Sequence, residues 1–435
     1  MQRRGSIELS REKLIIGIVF LVLAVSGIVV YLIYSGRFGG GSEITIKEPT
    51  CVGYEWRNYA AENNIVSDYL FSRTKKQLVG QGGDGVFVPT SYTIAGRLQT
   101  QEPESSGVYG LSDQAALLKC YVRASDKKNA SALKKKVVES FRTDEGSYRA
   151  YIYQDGTSDG LILTSSMMEW LDALTEYYVA YGNNDDLVEI KKLTCVIFDA
   201  DGRIRPENLT IAQYVENPFD GTDVEELEAA GVTAEDVETG DESASEVIEG
   251  VLLSSINLRL IRDLENNGLI AEGAYEKALN TVKNGYAGGE YPFYAYATAG
   301  EMDCGEYVYN GADSYSIDNA MNVKTMRNLA EVGELDGNSL GELKRSVMNY
   351  GRIYSTYNLL NGEYGQDEAM RVYGDAMMIA YYMDDSDMYN RIAGAVGIRV
   401  ATKSSSPALY MIFREENDRY VFYADENLRI RLATS

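Results

Sequence analysis

Histidine is absent from all 435 residues of the chain. That gap removes serine–histidine–aspartate triads, histidine zinc sites and any imidazole acid or base. Cysteine is scarce. Cys51, Cys120, Cys195 and Cys304 lie far apart, which argues against a metal knuckle and leaves two readings open: up to two disulfides outside the cell, or isolated thiols. Positive charge is outnumbered, with 41 Lys and Arg against 65 Asp and Glu, and the formal charge of -24 argues against nucleic acid or an anionic membrane surface as the partner of the body. Neutral or basic glycans and peptides stay open. No short motif repeats verbatim, against a consensus-repeat solenoid. DADGRIRPEN (199–208) starts like a calcium loop but lacks the later ligands and the closing glutamate, so it reads as a turn. Neither a metal nor a cofactor is expected.

What the chain does contain begins with LIIGIVFLVLAVSGIVVYLIY (14–34), 21 residues without a charge, preceded by Arg3, Arg4, Arg11 and Lys13. This run is long enough to cross a bilayer as a helix. Tyr31, Tyr34, Arg37 and Phe38 stand where a signal peptide would carry a small-residue cleavage site, so the segment reads as an uncleaved anchor with its basic side inside. The expected organisation is a cytoplasmic basic segment (1–13), a transmembrane anchor (14–34), a linker (35–50) and an extracellular body (51–435), with the lipid bilayer as one partner.

The body reads as helix paired with helix. Apolar residues recur every three or four positions in 55–79, in Val108, Leu111, Ala115, Leu118 and Val122, and in 129–141. Further pairs are expected at 164–181 with 185–195, 252–264 with 271–282, 317–332 with 339–350, and 366–383 with 387–395. Such a run of hairpins predicts a closed or stacked α/α array. Strand-like ALYMIF (408–413) and RYVFYA (419–424) predict a terminal hairpin sealing it. An acidic insertion at 216–250 holds 13 Asp and Glu and no Lys or Arg, and reads as a solvent-side segment.

Long polar connections rich in tyrosine and glycine (81–100, 149–160 and 288–315) can gather at one end of such an array and line a cleft. The 34 tyrosines suit stacking on sugar faces as well as ordinary packing. With histidine absent, chemistry falls to carboxyls, and glycoside hydrolysis needs two of them, one protonated and one ionised. Glu102 and Glu104 are expected at the mouth of a helix, where a carboxylate can be a cap or a reacting group. Asp159 is the neighbour that would raise the pKa of Glu104, or else an Asx-turn residue.

ESSGVYG (104–110), SDGLILTSSMMEWLDAL (158–174), LLSSINLRLIRDL (252–264), YPFYAY (291–296) and YGQDEAMRVYGDAMMIAYY (364–382) together resemble glycoside hydrolase family 8, in particular its exopolysaccharide-associated Gram-positive relatives. The resemblance implies an all-α (α/α)6 toroid of the six-hairpin glycosidase type, with small β additions behind the transmembrane helix. It implies an inverting two-carboxylate hydrolase of a β-linked exopolysaccharide, bound as polysaccharide or oligosaccharide beside polysaccharide synthase or secretion proteins. Glu104 takes the general-acid position and Asp159 the contact to the central sugar. Where relatives place an acid that activates water, this chain has Asn257, which cannot be a base. Asp263, Asp303 or Asp313 would replace it, or the protein binds glycan without efficient cleavage. Tyr92, Tyr109, Asn257, Tyr291 and Tyr294 are the expected sugar contacts.

Overall fold

A computed structural model describes residues 45–52, 67–80, 85–95, 103–212, 245–289, 291–311, 316–358, 362–417 and 419–435. Twelve α-helices occur among them: α1 Ser67–Gln77, α2 Leu111–Arg123, α3 Lys127–Phe141, α4 Thr164–Tyr181, α5 Asn184–Ile197, α6 Leu258–Asn266, α7 Ala274–Asn284, α8 Asn319–Val332, α9 Gly337–Arg345, α10 Tyr373–Tyr382, α11 Ser386–Gly397 and α12 Ala424–Ala433. The even-numbered helices form an inner ring. α2 packs on α4, α4 on the 3-10 turn Leu253–Ser255 that leads into α6, α6 on α8, α8 on α10, α10 on α12, and α12 back on α2. Each odd-numbered helix lies outside an inner one, with α1 against α12. This is a closed toroid of six helical hairpins. Because every inner helix returns through an outer one, the inner helices run the same way and their N-termini open at one end, here called the mouth.

Local chemistry explains the boundaries. The outer helices α3, α5, α9 and α11 start on Asp126, Asn183, Asp336 and Asp385, whose side chains accept backbone N–H bonds; at α5 Asp186 completes a capping box. The inner helices are buried on several sides at once, as Trp170, Leu117, Leu118 and Tyr373 show.

Short strands decorate the toroid. They are β1 Ser91–Ala95, β2 Glu104–Ser105, β3 Val108–Gly110, β4 Tyr151–Tyr153, β5 Glu207–Ala212, β6 Ser245–Gly250, β7 Tyr286–Gly288, β8 Tyr291–Tyr294, β9 Ala297–Thr298, β10 Tyr307–Val308, β11 Ser316–Asp318, β12 Thr356–Asn358, β13 Arg414–Glu416 and β14 Arg419–Tyr423. A four-stranded antiparallel sheet runs β13-β14-β1-β2, with Thr93 opposite both Val421 and Glu104. Antiparallel pairs β3–β4 and β11–β12 stand at the entries to α2 and α8.

Several expectations are corrected. Among the described residues no helix is long and apolar enough to cross a membrane, and the expected anchor at 14–34 lies outside them. On that finding the transmembrane part of the fold assignment, the membrane location, the bilayer contact and the synthase or secretion partners tied to the anchor are withdrawn. The expected linker at 35–50 ends inside the body: Ile46 is buried, and Thr50 bonds Asp263. All four cysteines are free thiols. Residues 408–413 are not a strand, and β14 does not end the fold but feeds α12, the last inner helix. Leu428, Ile430 and Leu432 alternate like a strand, and a helix buried nearly all round shows no clean apolar stripe in its sequence. The acidic insertion lies outside the described residues except for its end, which pairs as β6 with β5. DADGRIRPEN is a turn, with Asp199 Oδ1 accepting from Asp201 and Arg203 N–H.

Candidate active site

The mouth is built around the first turn of α2. Asp113 is buried there, and among the described residues it makes no ion pair. Burial pushes its carboxyl well above the ordinary carboxylate range, Asp425 and Glu169 add to the rise, and Arg429 opposes it. Gly110 makes room for the group, since a Cβ at that position would stand 2.8 Å from Asp113 Oδ2 and 3.5 Å from the Tyr151 ring. Tyr151 lies opposite Gly110 across the β3–β4 pair and is 37% exposed. Burial raises the pKa of its hydroxyl, and Asp113, Asp159, Glu169 and Asp425 add to the rise in turn, so four carboxyls act on one ring. Tyr153, two residues along the same strand and equally exposed, presents its ring on the same face roughly 7 Å away.

Below this layer the carboxylates are neutralised. Glu169 on α4 meets Lys324 and, at 3.2 Å, Arg429. Burial pushes it up, but the two cations outweigh that and hold it well below its usual range. Asp375 stands 3.5 Å from Arg429, which also pairs with Asp425. Deeper along the axis, Arg259 on α6 contacts Asp172, Asp263 at 3.1 Å and Glu331 at 3.1 Å, while Lys119 closes on Asp172. Asp172 and Glu331 are pushed up by burial, and their cation partners outweigh it, leaving both lowered. At the far end Thr50 gives its Oγ1–H to Asp263 Oδ1 at 2.7 Å and Val52 N–H bonds Glu331 O at 2.9 Å. The axial cavity lined by Lys119, Glu169, Asp172, Lys324 and Arg429 offers about 70 Å³. That is room for a few waters and well short of the roughly 300 Å³ at which small-ligand pockets begin.

A larger cleft of about 500 Å³ opens beside the mouth, between the entries to α8 and α12. Ser316, Asp318, Ser355, Thr356, Arg371, Arg414, Asp425 and Glu426 line it. Asp425 belongs both to this cleft and to the cluster around Tyr151, so the two are contiguous. Glu426, 1% exposed, pairs with Arg414. Burial raises it, Arg414 only partly offsets the rise, and its pKa stands at about 7.

The residues expected to form the site are dispersed. Glu104 is not at a helix mouth: the cap of α2 is Gly110, and Glu104 lies six residues earlier, exposed on edge strand β2. Asp159 is exposed, accepts from Leu161 N–H at 2.9 Å as an Asx turn, and acts electrostatically on Tyr151. Asp263 is committed to Arg259 and Thr50 at the far end of the toroid. Asp303 is exposed and pairs with Arg203 at 3.3 Å. Asp313 and Glu102 lie outside the described residues. Tyr92 is buried, stacked on Phe422 at 4.7 Å, and Tyr109 is buried against Phe87. Tyr294 is buried against Tyr286, Tyr291 is half-buried on β8, and Asn257 is the cap of α6, accepting from Leu260 N–H at 3.0 Å. Sequence reasoning missed Asp113, Tyr151, Asp425 and Glu426. The usable signal for Asp113 was an acid in the first turn of a helix.

A scan of protein-family models gives no match to the chain. A search of curated proteins gives none either. Among solved structures, the chain is similar to a protein described as a novel α-amylase from Clostridium perfringens (TM-score 0.62, 15% identity, 86% of this chain and 98% of that one). It is also similar to PssZ from Listeria monocytogenes (TM-score 0.51, 13% identity, 83% and 93%) and to a reducing-end-xylose-releasing exo-oligoxylanase (TM-score 0.50, 12% identity, 87% and 95%). At these identities the likeness concerns the fold: the chain has the six-hairpin glycosidase-like architecture, without assignment to one hydrolase family.

Proposed function

We propose that the protein is a carbohydrate-active enzyme that holds a glycan across the mouth and hydrolyses an O-glycosidic bond there. The observation that carries this reading is a carboxyl whose pKa burial raises well above the ordinary carboxylate range, Asp113, beside the exposed ring of Tyr151 at the mouth of a glycosidase-like toroid. A sugar stacked on Tyr151 and Tyr153 would bring a glycosidic oxygen toward Asp113, which gives the leaving group its proton. An ionised carboxylate on the other face activates water. Asp425, which acts electrostatically on Asp113 and lines the adjoining cleft, takes that role, and Asp159 keeps its expected part as a sugar contact. Glu104 remains the competing acid, supported by its motif alone. Activity, sugar and linkage do not follow from the fold; the β-linked exopolysaccharide reading goes no further for that reason.

A second reading, glycan binding without cleavage, is favoured by Asn257, which caps a helix where a water-activating acid would be needed. Reducing-end release from a panel of oligosaccharides separates the two. Asp113→Asn is expected to lower turnover roughly 10²- to 10⁴-fold with binding kept, and Glu104→Gln to leave most of it. The opposite pattern transfers the acid role to Glu104. No release by the wild-type protein, with binding intact, leaves the binding reading.

A further inference from the structure

Outer helix α9 ends at the mouth face in a π-helical turn, Ser346–Tyr350, closed by Gly351 at φ 69°. From it runs a continuous line of rings. Tyr350, 52% exposed, meets Tyr354 edge-on at 5.8 Å; Tyr354 stacks on Tyr364 at 5.1 Å; and Tyr364 meets Tyr357 at 5.2 Å. The line is held in place. The Tyr364 hydroxyl bonds Glu342, the Arg352 guanidinium lies 5.3 Å over Tyr354, and the bridges Tyr354–Glu368 and Tyr357–Tyr364 pin the backbone. Preordered rings lose little conformational freedom on binding, and their polar edges suit a hydroxylated ligand better than a purely apolar one.

Ser355 and Thr356, between Tyr354 and Tyr357 in sequence, line the 500 Å³ cleft that shares Asp425 with the mouth. The backbone that carries the tyrosine line therefore borders the cleft. The exposed ring stands at the line's outer end.

We propose that Tyr350 and Tyr354, carried by this ridge, form a second glycan-binding surface that captures sugar units of a long chain beyond those seated in the cleft. This rests on the reading of the mouth as a carbohydrate site. The ridge makes the protein prefer polymer to short oligosaccharide, because only a long chain reaches both cleft and outer ring.

Affinity electrophoresis of the full chain in gels containing soluble starch, xylan or β-glucan tests the ridge, alongside reducing-end release from a trisaccharide of whichever polymer retards it. Tyr350→Ala is expected to weaken polymer retention roughly three- to tenfold, and Tyr350→Ala with Tyr354→Ala further, with trisaccharide handling unchanged. Tyr350→Phe keeps the ring and restores retention, which separates stacking from misfolding. Retention lost in Tyr350→Ala and kept in Asp113→Asn supports the ridge even if no bond is cleaved, so the hydrolase reading can fall alone. Unchanged retention in Tyr350→Ala overturns the ridge and leaves the mouth untouched. Equal losses on polymer and trisaccharide also overturn it, and a wild-type protein retarded by none of the three polymers overturns both.

Discussion

Glu426 offers a test in which sign and size follow from its surroundings. Its ordinary pKa of 4.5 rises to about 7 in the fold, chiefly through burial, with Arg414 opposing and Asp425 and Glu416 assisting. Between pH 4.5 and 7 the folded state therefore holds one more proton at this site than the unfolded chain. Stability falls as pH rises through that window by about 1.4 kcal/mol per unit, which accumulates to about 3 kcal/mol and then levels off. Glu426→Gln removes the titration while keeping the shape and an acceptor for Arg414. The difference between variant and wild type is expected to be near zero at pH 4.5 and about 3 kcal/mol in favour of the variant at pH 7.5. For the body from Ile46 to Ser435, unfolding entropy scales to about 0.8 kcal/mol per K, so the Tm difference is about 4 °C. Thermal unfolding followed by circular dichroism at half-unit pH steps measures it, and subtracting the two curves removes the other acids. A difference that stays flat with pH would refute the reasoning. A variant less stable at pH 7.5 would show that Arg414 holds Glu426 ionised.

Two further outcomes follow from the same geometry. Arg259→Met leaves Asp172, Asp263 and Glu331 without their shared cation, at an expected cost of about 3–5 kcal/mol, or about 4–6 °C in Tm. Asp172 and Glu331 are lowered in the native fold, so their pairing contributes fully above the unfolded carboxylate range; the variant's deficit in calorimetry should hold from pH 7 down to about 4.5 and narrow as pH falls below about 4, whereas a deficit unchanged below pH 4 would indicate lost packing only. Gly110→Ala drives a methyl to within 2.8 Å of Asp113 Oδ2 and should cut reducing-end release at least tenfold with Tm changed by only a few degrees; undiminished release would place the proton donor elsewhere.

Helix pairing was legible because it depends on a local pattern. The reading of 164–181 coincides with α4, and 129–141 and 387–395 fall inside α3 and α11. The inner ring was harder to read at its entries. Expected helices at 252–264 and 317–332 begin late, since Asn257 and Asp318 stop the chain to cap it. α12 was missed because Glu426, Asn427 and Arg431 are buried along with Leu428 and Ile430, so polarity no longer reports exposure. The site suffered from the same effect. Asp113, Tyr151 and Asp425 are far apart in sequence and converge only when β3 pairs with β4 and α12 closes the ring against α2. Glu104 drew attention through its motif, yet the motif places its backbone on a strand and says nothing of burial.

On the proposed reading, burial also separates the cluster assigned to chemistry from the one that is not. The axial set around Arg259 contains more strongly perturbed groups than the mouth, and perturbed groups often mark active sites. Here direction matters more than size. Asp172 and Glu331 are lowered, each held ionised by a cation in contact, and a carboxylate so held is a poor proton donor. The cavity that Asp172 lines, of about 70 Å³, has room for a few waters and falls well short of ligand size. Asp113 is raised, has no cation of its own among the described residues, and stands under an exposed tyrosine beside a cleft of ligand size. An acid must keep its proton until the substrate arrives and must meet the substrate when it does. The axial cluster does neither; it fastens α2, α4, α6 and α8 to one another through ion pairs, whereas at the mouth a carboxyl with a raised pKa stands beside an open surface.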